Sequence, residues 1–201
     1  IFHSHSSLLE RAGKLKANHH CLTAIPLALA DGGDISTYLP TNVMSITDGQ
    51  WILNMDVFRR GHRPAIDSGL SVTRVGGAGQ SNRQKNQTAV VFKLLGEYSK
   101  AQEFARFGAE MSLASSRVLQ RGRQLDELFS QIPGETFSVL AQQLMLDIVL
   151  AADTSPTLSI ANLKKNVTQA AAAIKTDADY QTQLAKLKAL VVTPRATGAV
   201  K

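Results

Sequence analysis

The sequence is poor in the groups on which many folds and sites are built. It has one cysteine, Cys21, which excludes an intrachain disulfide and leans mildly toward a reducing compartment. Aromatic side chains make up 5%, too few and too scattered for the stacking platform that single-stranded nucleic acid needs. The longest apolar run, AIPLALA at 24–30, falls far short of the roughly 20 residues that span a bilayer. No G-x-x-x-x-G-K-[ST] loop occurs, so a self-sufficient nucleotide hydrolase is not expected. No Ser/His/Asp or Cys/His arrangement has the spacing of a nucleophile motif. His3, His5, His19 and His20 form two close pairs without cysteine or carboxylate at ligand spacing, and read as surface or packing histidines rather than a metal site.

What is present is ordinary globular composition, 44% apolar and 19% charged over 201 residues, enough for one large domain or two small ones. A net charge of +6 permits acidic partners, but Lys and Arg are spread along the chain, so no nucleic-acid role is expected. The chain opens on IFHSHSS, without methionine or a signal-peptide pattern. The expectation is a processed start or one piece of something longer.

Two halves differ in period. Residues 1–80 read as α/β. An opening helix over HSSLLERAGKL precedes short apolar runs at 22–29, 42–46, 51–55 and 69–75, separated by Gly, Pro, Asp and Asn. Runs this short and apolar predict strands buried on both faces of a sheet, although 80 residues cannot hold a complete doubly wound sheet. From about residue 81 the period is helical. Val91, Leu94, Leu95, Tyr98, Ala101, Phe104 and Ala105 share one face, and so do Phe137, Leu140, Ala141, Leu144, Met145 and Ile148. Ile160, Leu163, Val167, Ala170 and Ile174 repeat the pattern, then Tyr180, Leu184, Leu187 and Leu190. Thr176 and Asp177 offer a cap for the last helix and Pro194 a stop. Residues 81–201 therefore predict a helical bundle.

Three polar residues stand at expected strand ends of the α/β half: Ser45, Arg63 and Arg74. Ligands of open α/β sheets sit outside the carboxyl ends of the strands, where such residues gather. The glycines of GGAG, residues 76–79, lack a following βαβ unit and read as a flexible passage rather than a dinucleotide loop.

Longer blocks carry a more specific signal. HSSLLERAGKL, LTAIP, GDISTYLPTNVMSITDGQ, RRGHRPAIDSGLSVTRVGGAGQ and EFARFGAEM occur in this order. Together they resemble the later part of the α subunit of the F-type rotary, proton-translocating ATP synthase. That resemblance implies the C-terminal part of a RecA-like P-loop nucleotide-binding domain over 1–80 and a C-terminal helical bundle domain over 81–201. In that family α and β subunits alternate in a ring of six around a rotating shaft. Catalysis takes place on β, and α carries non-catalytic nucleotide sites.

By the same resemblance, Arg74 is an arginine finger reaching the nucleotide on a neighbouring β subunit, and Ser45 faces that phosphate region. Phe58, Arg63 and Pro64 surround the adenine of the non-catalytic site. Gln131 matches the first of two glutamines near that base, whereas Pro133 stands at the second. Ser7, Glu110 and Ser112 also depart from the family's usual residues. The implied cofactor is ATP or ADP with Mg²⁺, held mainly by other chains, and no metal ligand is assigned to this one. The implied partners are a companion N-terminal α chain, β subunits, the central shaft and the peripheral stalk. The implied place is the peripheral head at an energy-transducing membrane, such as the matrix side of the mitochondrial inner membrane. Uncovered strand faces predict that the chain does not fold stably alone. The alternative is a structural paralogue that fills an α position without assisting catalysis.

Overall fold

The computed structural model describes residues 1–106, 113–151 and 158–191. The chain divides into two compact units, Ile1–Gly79 and Gln80–Lys201. The first is mixed α/β and the second all-α, the fold class that the sequence predicts.

The first unit runs α1 (Phe2–Leu9), β1 (Gly13–Lys14), β2 (Cys21–Leu22), α2 (Tyr38–Ile46), β3 (Gly49–Gln50), α3 (Met55–Arg59) and β4 (Val72–Thr73). Its strands form two antiparallel pairs, β1 with β2 and β3 with β4. The individual strand expectations need correction. The run at 42–46 lies in α2, because Tyr38–Ile46 follows an extended Thr37 and its first turn accommodates Pro40. The run at 51–55 contributes a single bridge, Leu53 to Ile66. Of 22–29 only Leu22 is paired, and of 69–75 only Val72 and Thr73. The opening helix stops at Leu9 rather than reaching residue 15, since Gly13 turns to a φ of 153° and Lys14 pairs with Cys21. GGAG forms a 3-10 turn over Gly76–Gly79.

Burial in this unit is slight. Of residues 1–79 only Pro40 and Ala65 are buried, while Leu27 and Leu29 are 94% and 89% exposed and Trp51 74%. The unit therefore lacks an apolar interior of its own.

The second unit contains α4 (Asn82–Arg106), α5 (Leu113–Phe129), α6 (Val139–Ala151), α7 (Ile160–Ala172) and α8 (Asp177–Val191). Here the periodic reading holds. Leu94, Leu125, Leu144, Ile148, Leu163, Val167, Tyr180 and Leu187 meet in one core, the solution for amphipathic helices that cannot bury a face alone. Phe104, Ala105, Leu140 and Leu190, assigned to the same stripes, are exposed near helix ends. Thr176 caps α8 together with Asp179, rather than with the expected Asp177. Asp179 N–H donates to Thr176 Oγ1 at 3.2 Å, and Thr176 N–H donates to Asp179 Oδ2 at 2.9 Å, a reciprocal capping box. The Thr176 hydroxyl donates to Asp179 Oδ2 at 2.9 Å, and this bond, with those from the Lys175 and Thr176 N–H groups, holds the Asp179 carboxyl below its ordinary pKa. Pro194, Glu110 and Ser112 lie outside the described residues.

Two features tighten the bundle. Gly122 of α5 faces the Tyr98 ring so closely that a Cβ there would lie 2.1 Å from ring carbons. Asp147 of α6 accepts from Gln87 Nε2 at 2.7 Å and from the Tyr180 hydroxyl at 2.8 Å, linking α4, α6 and α8. Burial, then the bond to Asp147, raises the Tyr180 pKa. Burial, then Asp126, pushes Tyr98 up to about 12. A phenol whose folded pKa is raised contributes stability below its unfolded pKa of about 10, and that contribution is lost above it. The bundle should therefore lose stability as pH rises from about 10 to 12, read by urea titration of helical circular dichroism on the full chain. Replacing both tyrosines with phenylalanine should flatten this alkaline fall, and an unchanged fall would contradict the assignment.

Candidate functional site

The loop between α2 and β3 and the strand pair β3–β4 create the arrangement around Arg74. Helix α2 ends at Thr47, whose backbone turns extended, while its Oγ1 donates to Val43 O at 3.0 Å. Asp48 follows, and its carbonyl accepts from Arg74 N–H at 2.7 Å. The register of β3 with β4, Gly49 opposite Thr73 and Gln50 opposite Val72, brings Arg74 back to the helix end. Its Nη1 donates to Ser45 O at 3.0 Å and its Nη2 to Met44 O at 2.9 Å. The last carbonyls of a helix lack intrahelical donors and carry partial negative charge. A guanidinium is a fitting cap for them, and two contacts leave part of its five-donor fork unused.

Arg74 and Ser45, 29 residues apart in sequence, are thus joined through the Ser45 carbonyl rather than its hydroxyl. The Ser45 hydroxyl donates to Asn42 O at 2.7 Å within the helix, so its remaining capacity is as an acceptor. Both residues are exposed.

Three residues that sequence reading passed over frame this strand pair. Asp67 Oδ1 accepts from the N–H groups of Gly69 and Leu70, and its Oδ2 from Asn54 Nδ2 at 3.0 Å. The Ser71 hydroxyl donates to Asp67 O and accepts from Ile52 N–H. Asn54 also caps α3, accepting from Asp56 N–H at 2.8 Å. The signal was available in DSG, an Asx-turn composition, and in an asparagine preceding a short helix.

Phe58, Arg63 and Pro64 come together on α3 and the turn after it. Gly61, at a φ of 91°, reverses the chain as few side-chain-bearing residues can. Arg63 then folds back, with its guanidinium carbon 3.5 Å from the Phe58 ring centroid. Its Nη1 donates to Phe58 O at 2.7 Å and to His62 O at 2.9 Å. Pro64, joined to Arg63 by a cis peptide, lies exposed beside them. A ring, a guanidinium plane and a pyrrolidine offer flat, largely apolar surfaces of the kind against which a base stacks. Gln131 belongs to the other unit, exposed on the turn after α5.

Among the described residues no three His, Cys, Asp or Glu side chains converge as a metal site, and no helix is long and apolar enough to cross a membrane. Phosphoryl oxygens fit the spare donors of Arg74.

A mixed α/β unit that presents an exposed arginine beside a short ladder precedes an all-α bundle in the chain. Residues 1–73 match the nucleotide-binding domain of the ATP synthase alpha/beta family. The chain is 37% identical over 209 residues to the mitochondrial ATP synthase subunit alpha of Neurospora crassa, an alignment covering 96% of the chain and 37% of that relative. It is 39% identical over 173 residues to the ATP synthase subunit alpha of Mycoplasma genitalium, covering 84% of the chain and 33% of that protein. With the subunit alpha of Ehrlichia chaffeensis the identity is 44% over 144 residues, 71% of the chain and 28% of that protein. The chain belongs to the α-subunit family of the F-type ATP synthase, and it spans about a third of the length of these relatives.

Proposed function

We propose that this chain is the C-terminal portion of a divided α subunit in the catalytic head of a proton-translocating ATP synthase. The observation that carries the reading is Arg74, a permanent cation on the surface, seated on the C-terminal carbonyls of α2 with donors to spare. In this role the chain is not an enzyme alone. Arg74 reaches across an interface to the nucleotide on a β subunit and stabilises charge on the transferring phosphoryl group. In synthesis the same contact helps organise ADP and phosphate. A planar, always-charged fork suits that task better than a lysine. Ser45 offers hydroxyl lone pairs in the same region.

Phe58, Arg63 and Pro64 form part of the adenine site of the non-catalytic nucleotide, and the family resemblance assigns Gln131 to the same base. Pro133 supplies no amide to that base. Mg²⁺ would shield phosphate charge there, held by residues of other chains. A companion chain bearing the earlier part of the subunit covers the exposed apolar runs of the first unit, and β subunits, the central shaft and the peripheral stalk complete the surroundings. The reading places the chain in the peripheral head on an energy-transducing membrane, with the matrix side of the mitochondrial inner membrane as the specific location.

Mass spectrometry of the native complex tests this reading. The expected result is co-assembly with a companion α chain and β subunits. A complex without any β-like partner would refute it. The rival, a paralogue that fills an α position without assisting catalysis, rests on Arg74 bonding to its own backbone, and the Arg74→Ala variant separates the two.

A further inference from the structure

Among the glycines of the first unit, Gly49 has the least room for a side chain. A Cβ built there would lie 2.6 Å from the Val72 carbonyl oxygen and 3.1 Å from Thr73 Cα. Both are backbone atoms of the paired strand, so no side-chain rotation relieves the clash. This pair is also the last before Arg74. Gly49 faces Thr73, the Asp48 carbonyl holds Arg74 N–H at 2.7 Å, and the guanidinium reaches back to Met44 O and Ser45 O. Three consecutive features thus set the arginine: the end of α2, a glycine that admits the neighbouring backbone, and a ladder of two residue pairs.

We propose that Gly49 is a positioning residue for Arg74. The inference rests on the reading of Arg74 given above. By letting β4 approach β3 without a side chain between them, Gly49 fixes the distance from Arg74 to the carbonyls of α2 and so the direction in which the rest of the fork points. A methyl group at position 49 moves the Val72–Thr73 backbone away by several tenths of an ångström or more. The displacement passes to Arg74 directly, because it is the next residue. Misplacement of a reacting or stabilising group by about 1 Å costs on the order of 10²-fold in rate. Gly49 touches no nucleotide in this scheme and acts only through the arginine.

The test is a cycle in the assembled complex: unaltered chain, Gly49→Ala, Arg74→Ala and the double variant. KM, kcat and nucleotide binding are measured for each. Gly49→Ala is expected to lower kcat by about 10–10²-fold with little change in KM or nucleotide binding. In the Arg74→Ala background the same change should alter kcat by less than about twofold, since its target is already gone. Should complexes made wholly from the Gly49→Ala chain fail to assemble, complexes containing a mixture of variant and unaltered chains provide the same reading. Equal losses in both backgrounds would assign Gly49 to the fold alone and overturn the proposal, as would unchanged kcat in the single variant. Near-normal turnover in Arg74→Ala itself is a different result, and refutes the arginine-finger reading.

Discussion

Arg74→Ala is expected to lower ATP turnover of the assembled complex by about 10³–10⁵-fold while nucleotide binding stays largely intact. The magnitude is that of an arginine supplied in trans to a transferring phosphoryl group, equivalent to about 4–7 kcal/mol of transition-state stabilisation. Binding survives because the nucleotide is held mainly by other chains, and the arginine's contribution is largest where charge develops. The loss should therefore fall on kcat rather than on KM. Arg74→Lys should recover little, since an ammonium keeps the charge but cannot reproduce the two-point planar contact. Arg74 also caps α2 through Met44 O and Ser45 O, so Arg74→Ala costs something locally as well. At an exposed helix end that cost is about 0.3–1 kcal/mol, too small to account for the predicted loss of turnover. Near-normal turnover would leave the structural paralogue as the better description.

The isolated chain is expected to behave as two unequal halves in hydrogen exchange. Amides of α5 to α8 should be protected, whereas those of residues 1–79 should exchange close to unfolded rates until the chain joins its complex. The reason is burial. The bundle encloses Leu125, Leu144, Leu163 and Val167 at no measurable exposure. Each fully buried side chain of this type contributes roughly 1.5–3 kcal/mol. The first unit buries Pro40 and Ala65 alone, with two-residue strand pairs that fall below what stands independently in water. Ordering a residue costs about 1–2 kcal/mol in backbone entropy, and this unit has no core to offset it. Its exposed leucines and Trp51 should also make the isolated chain self-associate. A monodisperse chain whose first unit melts cooperatively would sink the idea of a covering companion.

The helical half was legible in the sequence because periodicity is a local code. Residues at i, i+3 and i+4 share a face whatever the rest of the chain does, and the stripes through Leu94, Leu144, Leu163 and Leu187 became the core. Thr176 was legible as the cap of α8, but its partner is Asp179, three residues on, rather than the expected Asp177. The α/β half was legible in class but not in its elements. A five-residue apolar run such as NVMSI fits a buried strand and a helix equally well, and its place in α2 depends on the Thr37–Pro40 start upstream.

The sequence by itself determined the family and the bundle, since both rest on residue identity and near-neighbour spacing, and the family resemblance singled out Arg74 as a candidate. Only the tertiary structure decided that Arg74 sits on the carbonyls of α2, 29 and 30 residues away. It alone decided that a side chain at position 49 would press on the backbone of β4, and that Asp147 ties Gln87 to Tyr180. These are meetings between segments distant in the chain. The physical reason is that backbone carbonyls carry no sequence signature, so which group meets them is set by the path of the chain through space.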